Sequence, residues 1–228
     1  MPRAVLERAL RSLRCSFTQG YGLTETLEAT FLTAADHVLE GTPAQRRRLE
    51  SAGREAIGAQ IRIVDEAGRD MPCGEIGEIL VRSRSVIERY WRQLEAGAEV
   101  IRNGWFHTGD LGYLDDERYL FVVDRRKDMI VTGGVNVYTK EVETVLYQHP
   151  AVREAAVYGV TDDTWGERVT AAISLREGAT ASAPELIEFC REHLAGFKLP
   201  KRIVFLDELP KNPSGKILKR ELRVQASK

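Results

Sequence analysis

The chain has 228 residues, with 33 lysines and arginines against 34 aspartates and glutamates, a formal net charge of −1, 43% hydrophobic and 29% charged residues. The balanced charge argues against a dedicated nucleic-acid binder and the apolar content against a disordered chain, and no apolar run approaches the roughly 18 residues of a membrane helix. Met1–Arg14 is broken by Arg3, Glu7, Arg8 and Arg11, unlike a signal peptide, and Cys15, Cys73 and Cys190 match neither a disulfide framework nor a metal-ligand spacing, so a reducing, cytoplasmic setting is expected.

In chain order, Val5, Leu6, Ala9, Leu10 and Leu13 share one face of a predicted helix over Met1–Leu13, with Pro2 suited to its first turn. A short apolar piece then runs into Gly20-Tyr21-Gly22. Thr42–Glu55, with Arg46-Arg47-Arg48, is expected to be a solvated loop or helix face. From Ile57 to Tyr119 the pattern is β. Ala59–Val64 and Glu75–Val81 read as strands, and Asp115-Asp116-Glu117 as a hairpin turn before Tyr119–Val123, so a barrel-like or sandwich piece is expected. After Asp124–Asp128 the pattern changes. Thr139–His149 reads as a helix, Ala155–Val160 and Val169–Leu175 as strands, and Ser182-Ala183-Pro184-Glu185 as the capping box of a helix reaching about Leu194. Ile203–Leu206 is a predicted strand and Ile217–Val224 a predicted helix. The fold class is therefore α+β, a partial β-barrel-like piece over residues 1–126 followed by a small α+β domain of βαββαβα-like order over residues 127–228.

Four separated segments carry candidate chemistry. Gly20-Tyr21-Gly22-Leu23-Thr24-Glu25 sets a hydroxyl able to bond a phosphate oxygen beside a carboxylate able to hold Mg²⁺; a strand end with a helix-capping Thr is the alternative. In Gly104–Leu111, Asp110 can accept two hydrogen bonds from a sugar diol or simply make an Asx-turn, and His107 reads as a packed or surface imidazole. Asp124-Arg125-Arg126-Lys127-Asp128 is a charged turn at the change of pattern, a hinge candidate, and Gly133-Gly134 permits close approach of a ligand to the backbone. Pro210–Lys216 is a loop presenting Lys216; it lacks the spacing of a Walker P-loop. The basic stretch after Gly196 suits a polyanionic small molecule or a solvated helix face.

In this order the four segments resemble the second half of the adenylate-forming enzymes: acyl- and aryl-CoA synthetases, luciferase-type enzymes and the adenylation domains of peptide synthetases. Tyr21-Gly22-Leu23-Thr24-Glu25 is similar to the family's Tyr-Gly-x-Thr-Glu motif, and Gly74–Ile79 to its Gly-Glu-rich barrel strand. Thr108-Gly109-Asp110-Leu111 is similar to its ribose motif, Asp124–Asp128 to its hinge, and Pro210–Lys216 to its lysine loop. The resemblance implies a two-step, AMP-forming ligation of a small carboxylic acid to a thiol, usually that of coenzyme A, with ATP/AMP and Mg²⁺. By position it implies Thr24 at the α-phosphate, Glu25 on Mg²⁺, Asp110 and Arg125 on the ribose hydroxyls, and Tyr21 and Gly22 beside adenine and the acyl pocket. It further implies Lys216 as the catalytic cation, Lys127 as the hinge and Gly133-Gly134 near CoA.

The family's upstream phosphate loop has no counterpart in these 228 residues, so the expectation is a fragment, inactive alone, that needs the N-terminal part of the enzyme. A carrier-protein-loading unit, or a non-catalytic module docking on a separate nucleotide-binding half, is the alternative. Phe197-Lys198-Leu199-Pro200-Lys201 looks more like the CoA-ligase branch. Fatty, aromatic and short branched acids are all compatible with Leu23 beside Gly22. Self-association through exposed apolar surface is a further expectation.

Overall fold

Ile61 and Ile63 are buried and lie one residue out of phase with the outward Gln60 and Arg62, the period of a half-buried strand. This pattern organises the first of two compact units, Met1–Arg126 and Lys127–Lys228, in a computed structural model that describes residues 3–13, 15–92 and 100–226.

The first unit begins with α1 (Arg3–Ser12) and an antiparallel three-stranded sheet of β1 (Gln19–Leu23), β2 (Leu27–Leu32) and β3 (Arg54–Glu55). The second sheet holds β4 (Gln60–Val64), β5 (Gly77–Arg82), β6 (Ile101–Arg102), β7 (Trp105–Leu114) and β8 (Leu120–Arg125), in the order β4-β5-β7-β6 with β8 also on β7. Ala29 of β2 joins Ile61, Ile63, Ile79, Val81, Leu114 and Leu120 in one core. Backbone bonds of 2.6 Å from Ala52 N to Leu120 O and 2.8 Å from Leu120 N to Gly53 O stitch the two sheets.

Between β2 and β3, α2 (Pro43–Arg48) opens on a Thr42–Gln45 capping box with Pro43 in its first turn. Its arginines lie on a solvated face, as expected: Arg46 and Arg47 are exposed and no residue of α2 is buried. Arg47 also lies 5.2 Å from the Phe121 ring centroid and Arg48 4.9 Å from that of Tyr119, with Arg48 paired to Glu117 at 2.7 Å. These two cation–π contacts are a role the one-dimensional pattern does not reveal.

The second unit opens with a hairpin of β9 (Ile130–Thr132) and β10 (Val135–Val137), then α3 (Thr139–Leu146), β11 (Val152–Asp162), β12 (Gly166–Leu175), α4 (Ala183–Arg191), β13 (Arg202–Phe205) and α5 (Lys219–Ala226). Its sheet runs β10-β9-β12-β11, with β13 parallel to β12. The order is thus ββαββαβα: the opening hairpin has strands of three residues each, too short for periodicity to register.

β11 and β12 are buried on both faces; in β12, Val169, Ala171, Ile173 and Leu175 alternate with other residues that include the buried Thr170 and Ser174. Ala155, Val157, Val169, Ala171 and Ile173 face a core with Val142 and Leu146 of α3 and Leu186 and Cys190 of α4. Ala156, Tyr158, Val160 and Ala172 face Leu209 and Leu222. Burial pushes the Cys190 thiol up to about 11, as expected of a packing cysteine. α4 begins on the Ser182–Glu185 capping box that the sequence predicts.

Ile173 is fully buried at the centre of this sheet. Ile173→Ala is expected to cost about 2–5 kcal/mol, read as lost amide protection along β12 in native-state hydrogen exchange; protection unchanged to within experimental scatter contradicts that packing.

Candidate functional site

Tyr21-Gly22-Leu23-Thr24-Glu25 forms the end of β1 and the turn into β2, a hairpin rather than the helix start that a capping Thr24 would mark. A bulge falls between Tyr21 and Gly22. A Cβ on Gly22 would lie 1.7 Å from the Leu27 carbonyl oxygen, so only glycine lets the two strands close at this point. The buried Thr26 fixes the turn: its Oγ1 accepts from Leu23 N at 3.0 Å and donates to Leu27 O at 2.9 Å. This leaves Thr24 exposed on the turn. Glu25 is half-buried, its Oε1 accepting from the Tyr90 hydroxyl at 2.9 Å, while Ile87 N donates to its carbonyl at 2.8 Å.

The second motif is a bulge in β7. Along β5, Glu78 pairs with Leu111 and Leu80 with His107, so Thr108, Gly109 and Asp110 stand opposite Ile79 alone. Side chains replace the interrupted ladder. Thr108 Oγ1 donates to Ile79 O at 2.7 Å and accepts from Asp110 N at 3.0 Å. Gly109, at φ +68°, donates its N–H to Glu78 Oε1 at 3.3 Å, and its carbonyl accepts from Arg126 N at 2.8 Å.

The bulge delivers Asp110, 5% exposed, between two partners. The Tyr21 hydroxyl donates to Oδ2 at 2.9 Å, across 89 residues of sequence. Arg125, the register partner of Asp110 on β8, brings Nε to 3.1 Å from Oδ1. Tyr21, Asp110 and Arg125 are therefore one cluster within the first unit. A carboxylate has about four lone-pair sites; with one taken on each oxygen, each oxygen retains acceptor capacity for a hydroxyl. Burial, then the charge of Asp110, push the Tyr21 hydroxyl far above the usual tyrosine value, so it remains a donor.

The other candidates belong to the second unit. Lys127 is exposed at the first residue after the boundary. Arg223 of α5 pairs with Asp128 at 2.9 Å and ties this turn to the body of the unit. Gly133 and Gly134, at φ +58° and +78°, form the β9–β10 turn; a Cβ on Gly133 would lie 3.0 Å from the exposed Trp165 ring. Lys216 is exposed on a loop organised by Asn212, whose Oδ1 accepts from Ser214 N at 3.1 Å and Lys216 N at 2.8 Å. Gly215 at φ +81° completes that turn.

Two positioning residues, Thr26 and Tyr90, lie outside the motifs, and a third, Glu78, lies within the Gly74–Ile79 run but had no role assigned. Their partners lie either in the turn itself or 29 to 65 residues away, so spacing alone does not reveal them. Among the described residues no group of three or more His, Cys, Asp or Glu side chains could hold a metal ion. Glu25 belongs to no such group, and a site with few carboxylates suits Mg²⁺ arriving on a polyphosphate: that ion is usually held by one or two carboxylates with substrate phosphates and water. Among the described residues no helix is long and apolar enough to cross a membrane.

Comparison with known proteins places these features in a family. Residues 1–91 match the model for AMP-binding enzymes, and residues 141–216 the model for the AMP-binding enzyme C-terminal domain. The 2-succinylbenzoate–CoA ligase of Geobacillus kaustophilus is 44% identical over 222 residues, covering 97% of this chain and 44% of the relative. A fatty acid–[acyl-carrier-protein] ligase of Streptomyces coeruleorubidus is 43% identical over 221 residues, covering 96% of this chain and 42% of the relative. Among solved structures, the o-succinylbenzoate CoA synthetase of Bacillus subtilis in complex with its acyl-adenylate intermediate is 38% identical. It matches with a TM-score of 0.86 over 97% of this chain and 44% of its own. The amide bond synthetase of Marinactinospora thermotolerans is 35% identical, with a TM-score of 0.88 over 98% of this chain and 45% of its own. The chain thus spans under half the length of these relatives.

Because Asp110 is the second cause of the Tyr21 shift, Asp110→Asn is expected to lower the pH at which Tyr21 ionises yet leave it above the ~10 of a free tyrosine. Ring-labelled tyrosine NMR during a pH titration reads this directly; an unmoved Tyr21 resonance contradicts the coupling. The folded-state value is raised, so the associated stabilisation is intact below about pH 10 and is lost as pH climbs toward the folded value.

Proposed function

Because this chain belongs to the AMP-binding enzyme family of adenylate-forming ligases, we propose that it is the C-terminal part of an AMP-forming acid–CoA ligase. The observation that carries the reading is the buried Asp110 carboxylate, held by the Tyr21 hydroxyl and Arg125 Nε with acceptor capacity left for a diol.

A carboxylate is a poor electrophile because resonance and charge protect its carbon. In the first step a carboxylate oxygen attacks the α-phosphorus of ATP, the bond to the pyrophosphate oxygen breaks, and an acyl-adenylate forms. In the second, a thiol sulfur attacks the acyl carbon, the thiol proton is lost, and the bond to AMP breaks. Asp110 and Arg125 bind the ribose hydroxyls and fix where the α-phosphate sits, an entropic contribution to rate. Tyr21 keeps Asp110 oriented, and with Gly22 borders adenine and the acyl pocket. Thr24, exposed on its turn, hydrogen-bonds the α-phosphate. Glu25 is the protein ligand for Mg²⁺, which when bound neutralises phosphate charge.

Lys216 supplies a cation for the charge developing at the α-phosphate in the first step. Lys127 is the hinge, supported by its position at the unit boundary. Gly133 and Gly134 serve the CoA half-reaction, where two positive-φ glycines allow close approach of the pantetheine chain. Coenzyme A is the favoured acceptor, in keeping with the name of the 2-succinylbenzoate–CoA ligase. Loading of a carrier protein is the second reading, favoured by the similarity to the fatty acid–[acyl-carrier-protein] ligase. Fatty acids are among the acids the reading admits, and the cytoplasm is the compartment it favours.

The 228 residues carry no Ser/Thr/Gly-rich phosphate loop with its lysine, so by themselves they are expected not to exchange pyrophosphate into ATP. Robust exchange by the isolated chain overturns that. In the full natural polypeptide containing these residues, Lys216→Ala is expected to slow adenylation by roughly 10²–10³-fold while sparing thioester formation from a supplied acyl-adenylate. Equal loss in the two half-reactions removes Lys216 from a role confined to the first step.

A further inference from the structure

Glu78 lies on β5, outside every segment assigned a contact with nucleotide, acid or thiol, yet its carboxylate faces the underside of the β7 bulge. Oε1 accepts from Gly109 N at 3.3 Å. Oε2 stands 3.1 Å from His107 Nδ1 and 3.6 Å from an Arg126 terminal nitrogen, and the side chain is 13% exposed. Arg126 in turn donates its backbone N–H to Gly109 O at 2.8 Å and reaches Glu66 with its side chain at 3.1 Å. One carboxylate therefore touches both sides of the bulge that carries Asp110, and the residue that follows Arg125.

The need for such a group follows from the ladder. Three residues, Thr108 to Asp110, face one residue of β5. The Gly109 N–H is thereby taken out of strand pairing, and a polar group left unpaired in a largely buried place is costly. Glycine at φ +68° makes the turn available, but glycine is also the residue with the widest choice of alternatives. Something must select this conformation, and the Glu78 carboxylate is the side chain bonded to the Gly109 amide.

We propose that Glu78 is a positioning residue for the nucleotide ribose: by holding Gly109 N and Arg126, its carboxylate sets the bulge that aims Asp110 and fixes the backbone of Arg125. This rests on the reading that Asp110 and Arg125 bind the ribose hydroxyls. Glu78 itself touches no substrate. Its effect passes through the diol contacts, so it acts on ATP but not on an analogue without those hydroxyls.

The test measures binding of ATP and 2′,3′-dideoxy-ATP to the full natural polypeptide by calorimetry, for the parent, Glu78→Ala, Glu78→Gln and Asp110→Ala. Glu78→Ala is expected to weaken ATP by roughly three- to tenfold, the worth of a hydrogen bond or two, and to leave dideoxy-ATP nearly unchanged. Glu78→Gln keeps an oxygen for Gly109 N but loses the ion pair, and is expected to lie between parent and Ala. Should Glu78→Ala fail to fold, the discrimination measured for Glu78→Gln decides. Equal weakening of both nucleotides, or no change in discrimination with Asp110→Ala discriminating poorly as expected, overturns the role of Glu78. Full discrimination retained by Asp110→Ala overturns the ribose reading itself.

Discussion

The site depends on a single desolvated carboxylate. Asp110 is almost wholly removed from water, and an ionised group so placed is tolerated only when its charge and lone pairs are met. Arg125 meets the charge from the neighbouring strand, and Tyr21 supplies a hydroxyl donor from the other sheet of the same unit. The pairing of two sheets, the bulge in β7 and the close-packed hairpin at Gly22 all serve to bring those partners to one place. Burial also explains why Tyr21 keeps its proton: beside a carboxylate and away from solvent, phenolate would be doubly disfavoured.

The two units solve different packing problems. In the first, Ile79 and Val81 of β5 join one core and Leu80 another with Val64 and Trp105, and Arg47 and Arg48 of α2 lie over the Phe121 and Tyr119 rings. In the second, a sheet is enclosed on both sides, by α3 and α4 on one face and Leu209 and Leu222 on the other. The turn that carries Gly133 and Gly134 joins the short strands β9 and β10, with β9 paired to β12, while Lys216 is presented by a loop whose shape rests on Asn212 and a positive-φ glycine. Such loops place a long cationic side chain without burying its charge.

Much of this was legible in one dimension. The capping box at Ser182, the alternation in β12 and the turn at Asp115 are local patterns, governed by hydrogen bonds and periodicities within a few residues. The resemblance to adenylate-forming ligases likewise rested on short runs such as Thr108-Gly109-Asp110-Leu111, and the matched family models bear it out. What escaped was of two kinds. The β9–β10 hairpin is too short to show a period, and the contacts of Arg47 with Phe121 and Arg48 with Tyr119 join residues some 70 to 75 apart in the chain.

Sequence alone determined the α+β class, the order of the motifs and the main helices and strands of the second unit, though not β2 or the β9–β10 hairpin, because propensity, capping and strand alternation act between near neighbours. Tertiary structure decided that Tyr21, Asp110 and Arg125 share one cluster and that Glu78 stands beneath it. Those juxtapositions arise from strand register and from a bulge that places three residues against one. Register is settled by the packing of whole sheets rather than by any local run of residues, so the chain had to fold before these contacts could be named.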